Sequence, residues 1–184
     1  ERWVESYGYE ETADMLRENN IPPVQTVRVN TTKATVENVL TTLEREGVKA
    51  VRSEVMPECV HLQTGQAART AAFRHGLITI QDESSMLPAN VLNPQPGMKV
   101  LDMCAAPGGK TTHMAEKMQN EGSILAMDLH PKKLDLIDEN TARLGLEIVQ
   151  TAPIDGRKAA SFLPKESFDA VLVDAPCSGL GVMR

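Results

Sequence analysis

Cysteine is scarce in this 184-residue chain, which has only Cys59, Cys104 and Cys177. Three scattered cysteines are too few for a disulfide framework or a zinc site, so no metal is expected. A reducing compartment is the default, and the cytoplasm is the expected location. Long apolar runs are missing as well. No stretch approaches the roughly 20 residues of a membrane span, which excludes a helical transmembrane protein. The start, Glu1-Arg2-Trp3-Val4-Glu5, has neither the basic beginning nor the apolar stretch of a signal peptide. It also has no initiator methionine, so the chain reads as a piece of a longer protein. Internal repeats and low-complexity tracts are absent. Positive charge is in deficit, with 19 Lys and Arg against 25 Asp and Glu and a net charge of −6. A dedicated nucleic-acid binder shows a basic footprint, and the whole chain does not. The charge is unevenly spread, however. Residues 1–18 carry two bases and six acids, whereas residues 19–81 carry seven bases and five acids. An RNA-facing surface is compatible with that middle stretch.

What remains is a globular composition, 41% hydrophobic and 24% charged, with room for one ordinary domain or two small ones. A short helix is predicted over residues 10–19, stopped by Pro22-Pro23. Val24 to Asn30 has strand character. Residues 35–46 predict an amphipathic helix, because Val36, Val39, Leu40 and Leu43 share one face. Thr35 is placed to cap it and Gly47 to end it. Two short strands follow, near Lys49–Arg52 and Cys59–Leu62, then a helix around Gln66–Phe73 and a strand at Leu77–Gln81. This is a small α+β unit, assigned to residues 1–82.

The pattern changes in the second part, residues 83–184. A helix over Ser84–Leu92 leads to a strand at Lys99–Met103, a glycine loop, and a helix at Lys110–Met118. Further strands are predicted at Ile124–Met127, Ile148–Thr151 and Ala170–Val173, with a helix from Pro131 to Leu144. Strands alternating with helices indicate an α/β fold with a parallel, Rossmann-like sheet. In such sheets ligands bind at the carboxyl ends of the strands. Four features fall there. The loop Cys104-Ala105-Ala106-Pro107-Gly108-Gly109-Lys110 lets backbone pass close to a ligand. Asp128 lies 19 residues after Gly109, where an acid can accept hydrogen bonds from ribose hydroxyls. Asp155 follows the third strand, within reach of an adenine amino group. Asp174-Ala175-Pro176-Cys177 follows the fourth.

Each feature also has a plain structural reading. A glycine after a strand is often only a turn, and an acid there is commonly a cap. A lone cysteine is usually a small buried hydrophobe. His113, His61 and His75 suit packing or solvation better than catalysis. The methionines suit the core. Gly109-Lys110-Thr111 ends like a P-loop, but that motif needs glycine where Cys104 stands, and Pro107 removes an N–H from the loop.

Cys104–Lys110 resembles motif I of the Sun/Nop2 family of RNA cytosine-5 methyltransferases, and Asp174–Gly179 resembles motif IV. Gln81–Met86 and Arg28-Val29-Asn30-Thr31 also fit that family. The run Gly179–Arg184 is most similar to its bacterial Sun (Fmu) branch, which methylates small-subunit ribosomal RNA. The resemblance implies S-adenosylmethionine as cofactor. Residues 104–110 would wrap it, Asp128 would hold its ribose, Asp155 its adenine, and Asp174 the region between donor and target base. It implies RNA as partner and an RNA-recognition-like role for the unit before Gln81. It also makes Cys177 the residue of product release, because the attacking cysteine of this family lies in a later Thr-Cys motif. That motif is not in residues 1–184, so these residues alone are expected to be inactive, with the fourth strand as an exposed edge. The competing reading is a non-catalytic RNA-binding or assembly module that keeps the cofactor fold.

Overall fold

The computed structural model describes residues 2–21 and 24–176. They fall into two units. Residues 2–21 belong to the first, and Gln25–Ala175 form the second. In the first unit two helices replace the single one expected, α1 (Arg2–Tyr7) and α2 (Tyr9–Asn19). Gly8 separates them at φ 82, a left-handed conformation that favours glycine.

The second unit contains two four-stranded sheets. The first is antiparallel, from β1 (Gln25–Val29), β2 (Ala50–Arg52), β3 (Cys59–Leu62) and β4 (Ile78–Ile80), in the order β2-β3-β1-β4. Helix α3 (Val36–Arg45) lies on one face. Its Val36, Val39 and Leu43 pack with Val27, Val29, Val60, Leu62 and Ile78. The predicted cap holds, since the Thr35 side chain accepts from the Asn38 N–H. The helix expected around Gln66–Phe73 is broken in two, a 3₁₀ turn at Ala67–Arg69 and α4 (Ala71–Arg74). Thr70 causes the break. Its backbone is extended, and its hydroxyl accepts from Phe73 N while donating to Ala67 O. A short hydroxyl side chain there favours a cap over a continuous helix.

Helix α5 (Glu83–Leu92) leads to the parallel sheet, built from β5 (Lys99–Asp102), β6 (Ser123–Met127), β7 (Val149–Ala152) and β8 (Ala170–Leu172). The strand order is β7-β6-β5-β8. Helices α6 (Gly109–Lys117), α7 (Pro131–Leu144) and the short α8 (Ala159–Phe162) supply the crossovers. Val100 and Ile124 pack with Met114, Ala115, Met118 and Leu144, while Leu101 and Met127 pack with Ala159. The methionines at 86, 114, 118 and 127 are indeed core. Among the described residues β8 lies at one edge of the sheet, with Val171 exposed.

Two burial patterns depart from simple amphipathicity. From Thr26 to Val29 every residue of β1 is buried, and Thr111 to Glu116 of α6 are buried all round. A strand or helix without a solvent face must be covered on both sides. The parallel sheet covers one side of α6 through Met114 and Ala115, and Arg28 of β1 meets the other side through Thr112 and Glu116.

Candidate functional site

The loop between β5 and α6 is pinned by its backbone. Met103 N–H donates to Leu172 O at 3.0 Å, Ala105 N–H to Met127 O at 2.8 Å, and Gly108 N–H to Ala105 O at 2.7 Å. The Ala106–Pro107 peptide bond is cis. Gly108 has φ 100, and a Cβ there would lie 3.3 Å from Ile137 Cα. Glycine is therefore required both by conformation and by the close approach of α7.

Asp102 ends β5 and is 1% exposed. The Thr111 hydroxyl donates to its Oδ2 at 2.7 Å. Burial pushes its pKa up to about 6, against the Thr111 hydrogen bond and the Lys110 charge, which lower it. Lys110 Nζ meets Asp174 Oδ2 at 2.7 Å, joining the first residues of α6 to the segment after β8. A cleft of about 200 Å³ opens here. Cys104, Ala105, Ala106, Pro107, Gly109, Lys110 and Asp174 line it together with Asp102 and Gln81.

Three sequence-predicted residues stand beside these lining groups. Gly108 makes the turn. Asp128 accepts from His130 N–H at 3.0 Å and turns its other oxygen to Ala106 N at 3.4 Å. Asp155 caps the 3₁₀ turn Gly156–Lys158 and is held by Arg157 at 2.7 Å, whose hydrogen bonds lower its pKa to about 2. All four acids nevertheless act on one point. The Cys104 thiol pKa is raised first by burial, then by the negative charges of Asp102, Asp128, Asp174 and Asp155. Cys177 lies outside the described residues.

Sequence reasoning missed the most buried polar group of the site. Arg28 is fully buried. Its Nε and Nη2 donate to the two Glu116 oxygens at 2.8 and 2.9 Å. Nη2 also donates to Thr112 Oγ1 at 3.0 Å, and Nη1 to Gly109 O at 2.8 Å and to Gln81 Oε1. Arg28 stands in the family-like run Arg28-Val29-Asn30-Thr31 without an assigned role, and a charge alternating with Val27 and Val29 in a strand ordinarily means a solvated face. His113 is structural, in line with its plain reading. Burial lowers its pKa to about 4, and its Nε2 meets Glu58 Oε1 at 3.0 Å. The Glu58 pKa falls to about 2, chiefly through that bond. Among the described residues, Cys59, His61 and Glu83 bring potential ligand atoms within 4.8 Å of one another. Burial and then the Glu83 and Glu58 charges push the Cys59 thiol up to about 12, so it is neutral at pH 7 and packs against Met56 and Met86.

Residues 89–184, just over half of the chain, match the family described as 16S rRNA methyltransferase RsmB/F. The chain belongs to that family. Residues 1–69 match the ferredoxin-like domain of RsmF/B-like methyltransferases, so the RsmB/F chain joins an N-terminal ferredoxin-like domain to a Rossmann-like methyltransferase fold. A curated relative, the probable ribosomal RNA small subunit methyltransferase B of Bacillus subtilis, is 46% identical over 99% of this chain and 41% of its own length. This chain thus spans about two fifths of that relative. A solved structure described as PH0851 superposes with a TM-score of 0.89 at 40% identity, over 96% of this chain and 40% of that one. A methyltransferase homolog protein from Pyrococcus horikoshii gives 0.85 at 35% identity, over 98% and 59% respectively. RsmB/F proteins are S-adenosylmethionine-dependent methyltransferases. No described helix is long and apolar enough to cross a membrane.

Proposed function

We propose that this RsmB/F chain carries the cofactor-binding part of an enzyme that methylates carbon 5 of a cytosine in small-subunit ribosomal RNA. The observation that carries the reading is the cleft at the glycine loop, lined by the strand-end acids Asp102 and Asp174 with Lys110 among them, and with Asp128 accepting from the loop's Ala106 N–H. S-adenosylmethionine bears positive charge on its sulfonium and amino groups, which such a site attracts. The phosphates of ATP would be repelled, which counts against the P-loop reading.

The residues present fit that cofactor. The backbone of Cys104–Lys110 would follow it, with Gly108 admitting the close turn. Asp128 would accept from the ribose hydroxyls and Asp155 from the adenine amino group, after release from Arg157. When bound, the cofactor supplies an electrophilic methyl group. Asp174 and Lys110 would face the target base. A carboxylate alone only accepts hydrogen bonds, but with Lys110 2.7 Å away the pair offers an acceptor and a donor to a cytosine ring. Carbon 5 of cytosine is a weak nucleophile. Addition of a cysteine thiolate to carbon 6 makes carbon 5 enamine-like, so that it can take the methyl group as the methyl–sulfonium bond breaks to leave a neutral thioether. Loss of the carbon-5 proton with elimination of the thiolate then restores the ring. The base must leave its stack to be reached. Cys177 would assist that elimination, as the family resemblance implies, and the small antiparallel sheet within residues 1–82 would contact the RNA.

Calorimetry on the full-length protein tests the reading. S-adenosylhomocysteine should bind, and ATP should not compete. Asp128→Ala should weaken binding by about 1–3 kcal/mol, the cost of leaving ribose hydroxyls unpaired. Unchanged affinity would remove Asp128 from the site, and tighter binding of ATP would overturn the assignment of the cleft.

A further inference from the structure

Arg28 belongs to the antiparallel sheet, yet its side chain ends beneath the cofactor loop. A guanidinium has five N–H donors. Of the five hydrogen bonds it makes among the described residues, two reach groups that line the cleft, Gln81 Oε1 and Gly109 O, while three run along α6 to Thr112 and Glu116. Gly109, Thr112 and Glu116 lie three and four residues apart, so they share one face of α6. The guanidinium therefore grips that helix from its first residue to its last turn. Gly109 is both the first residue of α6 and the last glycine of the loop. Thr112, whose hydroxyl also donates to Gly108 O at 2.9 Å, ties the same grip to the turn. Gln81 extends it sideways. Its Oε1 accepts from Arg28, its Nε2 donates to Ser85 O at 2.8 Å, and its side chain lines the cleft beside Gly109.

Stability alone does not explain such a residue. Taking a charge pair fully out of water costs as much as the pair returns, and well-packed apolar side chains of similar volume commonly serve as well. What apolar side chains cannot do is fix the direction of a carbonyl and an amide at once. A planar fork does this, because its donors point in set directions.

We infer that Arg28 is a positioning residue for the cofactor cleft, acting from the antiparallel sheet. It holds the Gly109 carbonyl and the Gln81 amide where the loop needs them and touches no cofactor itself. This rests on the reading of the cleft as an S-adenosylmethionine site.

The test compares the full-length enzyme with Arg28→Lys and with the double variant Arg28→Met/Glu116→Leu. The double variant removes both charges together, so no buried charge is left unpaired. Arg28→Lys keeps a cation for Glu116 but cannot reach Gly109 O and Gln81 at the same time. Melting temperature and S-adenosylhomocysteine affinity are measured for each. The expected result is a double variant that melts close to wild type yet binds at least tenfold more weakly. Arg28→Lys should also bind several-fold more weakly, with KM for S-adenosylmethionine raised and kcat at saturating donor little changed. Wild-type affinity in a folded double variant would overturn the inference and leave Arg28 a structural residue. If the double variant does not fold, Arg28→Lys decides alone, and wild-type affinity there is equally fatal. Failure of the wild type to bind would reject the cofactor reading itself, and the inference falls with it.

Discussion

The two sheets of residues 25–175 place their polar groups by different rules. The parallel sheet sends its acids to the carboxyl ends of its strands, where Asp102, Asp128, Asp155 and Asp174 collect around one loop. The antiparallel sheet brings one acid to the cleft, Asp82, two residues past the end of β4. It also sends one cation through its face, Arg28, whose partners are Gln81 and three residues of α6. The first arrangement follows from topology, since parallel strands bring their ends together whatever covers their faces. The second exists only because α6 packs against β1 and closes a face that would otherwise meet water.

Removing Glu116 breaks this comparison most forcefully. Glu116→Ala leaves the Arg28 guanidinium buried without its carboxylate and should cost about 3–5 kcal/mol in chemical denaturation. A loss below about 1 kcal/mol would mean that water reaches Arg28 and that the face is not closed. The next effect belongs to the other sheet and depends on pH. Asp102 has a folded pKa of about 6, above its ordinary 3.8. The folded state therefore holds its proton more tightly, and stability should fall as pH rises from about 4 to about 6. The loss is about 3 kcal/mol. Asp102→Asn cannot ionise, so the stability of wild type relative to this variant should decline across that window. A flat difference curve would place Asp102 in a more polar setting than its burial implies.

Gly108→Ala sharpens the contrast between turn and acid. The left-handed backbone and the approach to Ile137 should together cost about 1–3 kcal/mol and weaken cofactor binding. Asp155→Asn should have the smallest effect. The carboxylate is already occupied by Arg157, so the melting temperature should hardly move. S-adenosylhomocysteine affinity should drop less than in Asp128→Ala. A larger drop would show that Asp155 leaves Arg157 to meet the ligand.

Much of this could be read in the sequence, for identifiable reasons. The parallel sheet announced itself through short apolar runs that each end near a turn residue, and α7 could be bounded by Pro131 and Gly145 because both act locally. Cys104–Lys110 and Asp174 converge as expected, since their meeting depends on strand order alone. The grip of Arg28 could not be read, because its partners lie 53 to 88 residues away in sequence. Local rules also misjudged the segment after Gly65, where the Thr70 hydroxyl splits one helix into two. Asp155 was found at its expected place, but the neighbour that occupies it, Arg157, carries no sequence signal distinct from any surface arginine.

The Arg28–Glu116 pair bears on how this chain could be divided. A cut between Asp82 and Glu83 falls in a short connection and passes through no strand or helix. It would nevertheless leave Glu116 without its arginine on one side, and Arg28 on an uncovered strand on the other. The two pieces are joined by more than a linker, and neither is a cassette that could be moved intact to another protein. Anyone grafting this antiparallel sheet onto a different methyltransferase would have to transplant the arginine's acceptors on α6 with it, Gly109, Thr112 and Glu116.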